Sequence, residues 1–357
     1  MKSLLISSRK GLIVYTKSNG GWQYKTVHFN GIPVCLTYYD DAANELWAFL
    51  DHGHWGVKMQ KSKDFGESWE EIPALKYPEG CEVKEGVPAA LQYIWAVQKD
   101  LHGRIWIGTV PGGLFMSDDG GATFQLNQGL WNHPHREKHW FGGGMDHPGV
   151  HSIVLDPADP NHMFVGVSVG GVYETTDGGE TWQVRNSGLR ADFMPDPHGE
   201  LSHDPHLLVA CPNSPQHMWQ QNHCGIFKST DGAKSWLDVT QKDGPANFGF
   251  AVEVDEKDPD TAWVVPGVSD EIRVAVDHSL CVCRTRDGGA TWTELRSGLP
   301  QGSSFDIVYR HAFARHDGEM VFGTTTGNVF MSSDDGDSWE TLSNFLPLVN
   351  AVTFAET

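Results

Sequence analysis

Apolar positions along the chain come in short runs punctuated by Gly, Pro and Asp, the spacing of β-strands joined by tight turns. One stretch shows the whole unit. His151-Ser152-Ile153-Val154-Leu155 reads as a first strand and DPADPN at 156–161 as a turn. Met163–Ser168, Gly171–Thr175 and Thr181–Arg185 then read as a second, third and fourth strand. The N-terminal stretch follows the same spacing without its first strand: Ser3–Ser8 is a second, Leu12–Thr16 a third, Lys17–Gly21 a turn, and a fourth starts at Trp22. Near the other terminus, Leu348–Ala355 reads as one unpartnered strand. Pairing it with the N-terminal three leaves no sheet edge open there.

An octapeptide marks the turn before each fourth strand. It reads SKDFGESW at 62–69, SDDGGATF at 117–124, TTDGGETW at 175–182, STDGAKSW at 229–236, TRDGGATW at 285–292 and SSDDGDSW at 332–339. Successive copies start 47 to 58 residues apart. The Asp side chain accepts hydrogen bonds from the turn backbone, Gly supplies positive φ, and the closing Trp or Phe buries its ring between neighbouring units. Six such units plus the composite one predict an all-β chain. The expectation is a single seven-bladed β-propeller of four-stranded antiparallel blades over residues 1–357, closed by the C-terminal strand in the N-terminal blade.

These octapeptides are Asp-boxes, and on them the chain resembles the BNR repeat propellers. That family includes sialidases, xyloglucan-active endoglucanases, sortilin-type ectodomains and a photosystem II assembly factor. The resemblance implies the fold; function stays open, because the box occurs in enzymes, receptors and assembly factors alike. Sialidase chemistry is disfavoured, since those enzymes use six blades and an arginine triad led by an early FRIP-type motif. The nearest N-terminal arginine here is Arg9, in Ser8-Arg9-Lys10-Gly11.

Composition narrows the partners. With 26 Lys+Arg against 46 Asp+Glu the net charge is −20, which argues against nucleic acid and against anionic membrane. Forty Gly and 14 Trp do not suit a helical bundle. The apolar run Leu4-Leu5-Ile6 is too short for a signal peptide, and six cysteines make no disulfide framework, so the expectation is a cytoplasmic protein with reduced thiols.

Long segments at 70–91, 128–150, 188–205 and 267–280 all fall at the blade ends opposite the Asp-boxes, which makes that face the working one. Most of the 18 histidines map there as well. His151 and His206 each open the first strand of consecutive blades, and His54 and His223 each stand two residues before the glycine that starts a third strand. Imidazoles at a channel mouth are ligands for zinc or another divalent transition metal, and an open coordination position lowers the pKa of a bound water. The expected ligand set is His151, His206 and His223, with His54 as a fourth and Asp204 orienting one of them. The alternative is that these histidines line a hydrated channel. Glu85, Asp146 and Asp204 are carboxylates for acid–base work, and Trp55, Trp131, Trp140 and Arg9 are candidates for holding a sugar or another small ligand. Three functions follow: a metal-dependent hydrolase acting on a small or oligomeric, glycan-like substrate; a metal-free glycosidase using loop carboxylates; and a non-catalytic propeller with a protein partner.

Overall fold

Each Asp-box folds on its own hydrogen bonds. In TTDGGETW, Thr175 Oγ1 donates to Asp177 Oδ1 at 2.7 Å and accepts the Gly179 N–H at 2.9 Å. Asp177 in turn accepts the Thr181 N–H at 2.9 Å and the Thr181 hydroxyl at 2.6 Å. The same four bonds recur around Asp64, Asp119, Asp231, Asp287 and Asp334. Thr181 lies four residues beyond the aspartate, so the motif is a closed loop that needs no partner from elsewhere in the chain. Where the first glycine of the pair is replaced, Phe65 and Asp335 take positive φ (52° and 58°); where the second is replaced, Ala233 does (57°).

The computed structural model describes residues 2–18 and 20–356. Among them are seven four-stranded antiparallel sheets and one short hairpin, Glu82–Lys84 with Val87–Pro88. The predicted blade is recovered as Val150–Leu155, Met163–Val167, Gly171–Thr175 and Gln183–Val184. Its fourth strand is shorter than the sequence implies, because Trp182 leaves the strand to pack its ring toward the preceding blade. There its Nε1 donates to Asn127 Oδ1 at 3.1 Å. Outer strands of two to four residues close six of the sheets, which leaves little edge for pairing with other chains. The seventh sheet is the composite one. Val349–Glu356 pairs antiparallel with Lys2–Ser8, in the register Leu4–Phe354, Leu5–Thr353 and Ile6–Val352. The predicted turn at Lys17–Gly21 includes Asn19, which lies outside the described residues.

The chain packs as two compact units. The first holds Met1–Ile72, Gln241–Glu253 and Thr261–Thr357; the second holds Pro73–Thr240 and Val254–Asp260. In the first, Leu4, Ile6, Trp263, Phe322, Phe330 and Trp339 share one buried cluster. In the second, Trp106, Leu130, Trp140, Val165 and Tyr173 form another, and Phe164, Leu189, Phe227 and Trp236 a third. A second short signature, Ser-Gly-Leu, links successive blades. Trp236 N–H donates to Ser187 O and Trp339 N–H to Ser297 O, each at 2.9 Å. Gly188 and Gly298 sit at φ 90° and 83°, and a Cβ there would lie 2.3 Å from Trp236 O and 1.8 Å from Trp339 O. Only glycine allows that approach.

Candidate functional site

The second unit gathers the chemistry. Its third blade begins where the link after Gly188 turns inward through Ser202-His203-Asp204 into the strand Pro205–Cys211. Pro205 pairs with Asn222 and Leu207 with Gln221, so His206 is the extra residue of a β-bulge and its side chain is re-aimed. The preceding blade repeats the device: Val150 pairs with Val167 and Ser152 with Gly166, leaving His151 as the bulged residue. The equivalence of His151 and His206 read from the repeat is therefore real at the level of the backbone.

Three donors converge at the second bulge. Asp204 Oδ2 lies 3.5 Å from His206 Nε2 and 3.5 Å from His223 Nδ1, and the ligand atoms of all three lie within 4.8 Å of one another. His206 is 2% exposed and Asp204 7%, whereas the His223 side chain reaches solvent at 26%. The carboxylate is fixed from its far side, where Oδ1 accepts the Val169 N–H at 3.0 Å and the Ser168 hydroxyl at 3.4 Å. Ser168 and Val169 belong to the turn between the second and third strands of the previous blade. The His223 N–H donates to Asp204 O at 2.9 Å, which ties its own turn to the start of the strand. That turn leads into Gly225–Ser229, and the Asp-box begins at the far end of those five residues, about 16 Å away. The cluster thus lies at the blade end opposite the box. Phe193 stands edge-on to His223 at 5.0 Å and is 41% exposed, a partly apolar lip beside the cluster.

Beside this cluster runs a glycine-rich segment at 141–148. A Cβ on Gly143 would lie 4.0 Å from Asp204 Oδ2, while Gly142 lines a cavity of about 150 Å³ together with Trp131, Arg136, Trp140 and Asp146. The segment is held by the Phe141 N–H donating to Val169 O at 3.2 Å. One loop therefore borders both features.

The sequence-derived candidates separate accordingly. Asp204, His206 and His223 come together, with Asp204 as a direct member rather than an orienting neighbour. His151 belongs to no group of three ligands among the described residues; its Nδ1 is hydrogen-bonded to Ser152 Oγ at 2.8 Å and its ring stands edge-on to Trp95 at 5.7 Å. His54 lies in the first unit, in the turn Gly53–Trp55, with its ring 4.4 Å from Trp55, which is 67% exposed. Glu85 is exposed at the tip of the short hairpin, and Arg9 is exposed in the Ser8–Gly11 turn of the first unit. Asp146 is exposed on the cavity wall. Trp131 and Trp140 border that cavity yet are 4% and 6% exposed. Trp131 lies under the Arg136 guanidinium at 4.0 Å, and Trp140 Nε1 donates to Tyr173 Oη at 2.7 Å. Their rings pin the loop from beneath and leave little face for stacking on a ligand. In sequence Arg136 is one of four working-face arginines, with Arg9, Arg190 and Arg273, and their spacing singles none of them out, although Trp131-x4-Arg136-x3-Trp140 sits in the longest link.

Fold and Asp-boxes together make the chain a seven-bladed Asp-box β-propeller. No family model matches it. Its curated relatives are xyloglucanases: an oligoxyloglucan-reducing end-specific xyloglucanase of Emericella nidulans, 26% identical over 265 residues, covering 66% of this chain and 30% of that protein; and a Paenibacillus xyloglucanase, 26% identical over 216 residues, covering 54% and 20%. The chain thus spans about a third or less of the length of these relatives. Among solved structures it resembles the GH74 enzyme of Niastella koreensis (TM-score 0.57, 15% identity, 96% of this chain and 64% of that one). It also resembles YCF48 bound to a D1 peptide (TM-score 0.58, 15% identity, 93% and 89%). The solved structures share the propeller fold with this chain, and the relatives similar to it in sequence are xyloglucanases.

Proposed function

We propose that this propeller is a hydrolase acting on an oligosaccharide of the xyloglucan kind, with Asp204, His206 and His223 as the seat of a divalent transition metal, zinc first. The observation that carries the reading is the convergence of two imidazoles on one buried carboxylate oxygen at 3.5 Å each. Tetrahedral zinc with bonds of about 2.1 Å spaces its donors about 3.4 Å apart, so those two separations need almost no adjustment. Three protein ligands leave a position for water, whose pKa the ion would bring toward neutrality. The Val169 N–H on Asp204 Oδ1 holds the carboxylate with Oδ2 toward the two imidazoles. The xyloglucanase relatives support the substrate class.

The purified chain reconstituted with zinc should hold one ion by elemental analysis, and Asp204→Asn with His206→Ala should hold none. Release of reducing ends from xyloglucan oligosaccharides should fall with the ion. A chain that retains no stoichiometric metal after reconstitution refutes the centre; one that binds metal but leaves xyloglucan and its oligosaccharides intact refutes the substrate. A second reading rests on Glu137 and Asp146, which border one cavity beside the cluster. They suit a metal-free glycosidase, for which hydrolysis would survive chelation and be lost in Asp146→Asn.

A further inference from the structure

The cavity bordered by Arg136 holds a buried cation that the proposed centre does not use. Arg136 is 8% exposed and lies flat on Trp131. Its Nε donates to Trp131 O at 2.5 Å and its Nη1 to Val83 O at 2.9 Å. Carbonyl oxygens satisfy donors but supply no negative charge. Among the described residues one carboxylate stands within ion-pair range, Glu137 Oε1 at 3.8 Å from Nη2, and that side chain is 74% exposed. A guanidinium keeps its proton at any physiological pH, and a buried charge without a close counter-ion is costly. Burial accordingly draws the Arg136 pKa below its ordinary value. Lys84 borders the same cavity on the positive side, and Asp146 and Glu137 border it as exposed carboxylates.

We propose that this cavity binds the carboxylate of a small acid or of a terminal acidic sugar, with Arg136 as its anchor and Lys84 as the charged rim. Two of the five guanidinium N–H groups are spent on carbonyls, and the remaining three sit on Nη1 and Nη2, the edge that meets a planar carboxylate with two parallel bonds. The volume of about 150 Å³ holds about five waters at their liquid density, enough for one ring or a short acid and too little for a chain of sugars. The walls contributed by Pro111, Trp140 and Pro148 are apolar and would cover the non-ionic part. Glu137 competes for Nη2 and thereby selects against weakly held anions. The site needs no ion at Asp204 and stands apart from the metal reading.

Titrating the full chain with D-glucuronate, acetate and neutral D-glucose, followed by tryptophan fluorescence and by calorimetry, tests it. At least one acid should bind saturably while glucose does not. Glucuronate binding tighter than acetate identifies a sugar acid, and equal binding identifies a free small acid. Lys84→Glu should weaken the acid about fivefold and Glu137→Gln should tighten it about threefold, as for partly exposed charge pairs. Both side chains lie at the surface, so folding is kept, whereas Arg136→Ala would also release the Trp131 loop. Glucose binding as well as the acids, no acid binding into the tens of millimolar, or an affinity indifferent to both variants would overturn the assignment.

Discussion

Asp177→Ala isolates what one Asp-box contributes. The carboxylate accepts three hydrogen bonds, two from Thr181 and one from Thr175, and they hold its pKa at about 2 against an ordinary 3.8, the Thr181 hydroxyl contributing most. At about 1.4 kcal/mol per tenfold change in affinity for the proton, that difference bounds the contribution at about 2.5 kcal/mol. The group is almost wholly exposed, so water and salt reduce this to about 1 kcal/mol. The direction with pH follows from the depressed folded value: stability is present in full above the unfolded pKa and is lost as pH falls through the folded one. The deficit of the variant should therefore be complete above about pH 5, about half as large near pH 3, and gone below about pH 2. Urea unfolding of both chains at pH 7, 5 and 3, read by tryptophan fluorescence, measures it. A variant as stable as the parent at pH 7, or a deficit that stays constant down to pH 3, would mean that the box is not held by its aspartate.

His162 offers the opposite slope. It donates to Asp156 at 2.8 Å and to Glu174 at 2.9 Å, and the Glu174 bond lifts its pKa above the ordinary value despite burial, so this stability is full below about pH 6.5 and declines as pH rises through the raised value; unfolding midpoints between pH 6 and 8.5 should fall more steeply for the parent than for His162→Gln. Gly188→Ala places a methyl 2.3 Å from Trp236 O at φ 90° and should cost about 2 kcal/mol or more in equilibrium unfolding; an unchanged midpoint would remove the interblade clasp from the account. Removing the strand Val349–Glu356 should abolish cooperative unfolding or produce oligomers by size-exclusion chromatography, because Lys2–Ser8 is then left as an open edge.

Local chemistry decided what was legible before the structure. The Asp-box announces itself because its bonds close within eight residues, and the composite sheet follows from counting strands against boxes. The bulged positions of His151 and His206 were readable as a repeat, since both follow a link and open a first strand. Their directions were not. A bulge re-aims its side chain according to what stands opposite, which is Trp95 for His151 and His223 for His206. In sequence Asp204 reads as a carboxylate for acid–base work or for orienting a ligand, and spacing alone does not give its direction. It lies before the strand begins, in the link, where alternation does not apply. Trp131 and Trp140 look like a sugar platform in sequence, and whether a loop aromatic faces out or in depends on the arginine and tyrosine that meet it.

The pairing of Lys2–Ser8 with Val349–Glu356 also sets a clock. About 340 residues separate Ser8 from its partner Val349, and at 5–20 residues per second a ribosome takes roughly 17 to 70 s to supply them. Throughout that interval Leu4, Leu5 and Ile6 present a hydrophobic strand with one ladder of N–H and C=O groups unmet, while the other sheets have already been completed. Six sheets are then in place beside one with an adhesive edge. Shielding of that edge during synthesis is a requirement separate from final stability.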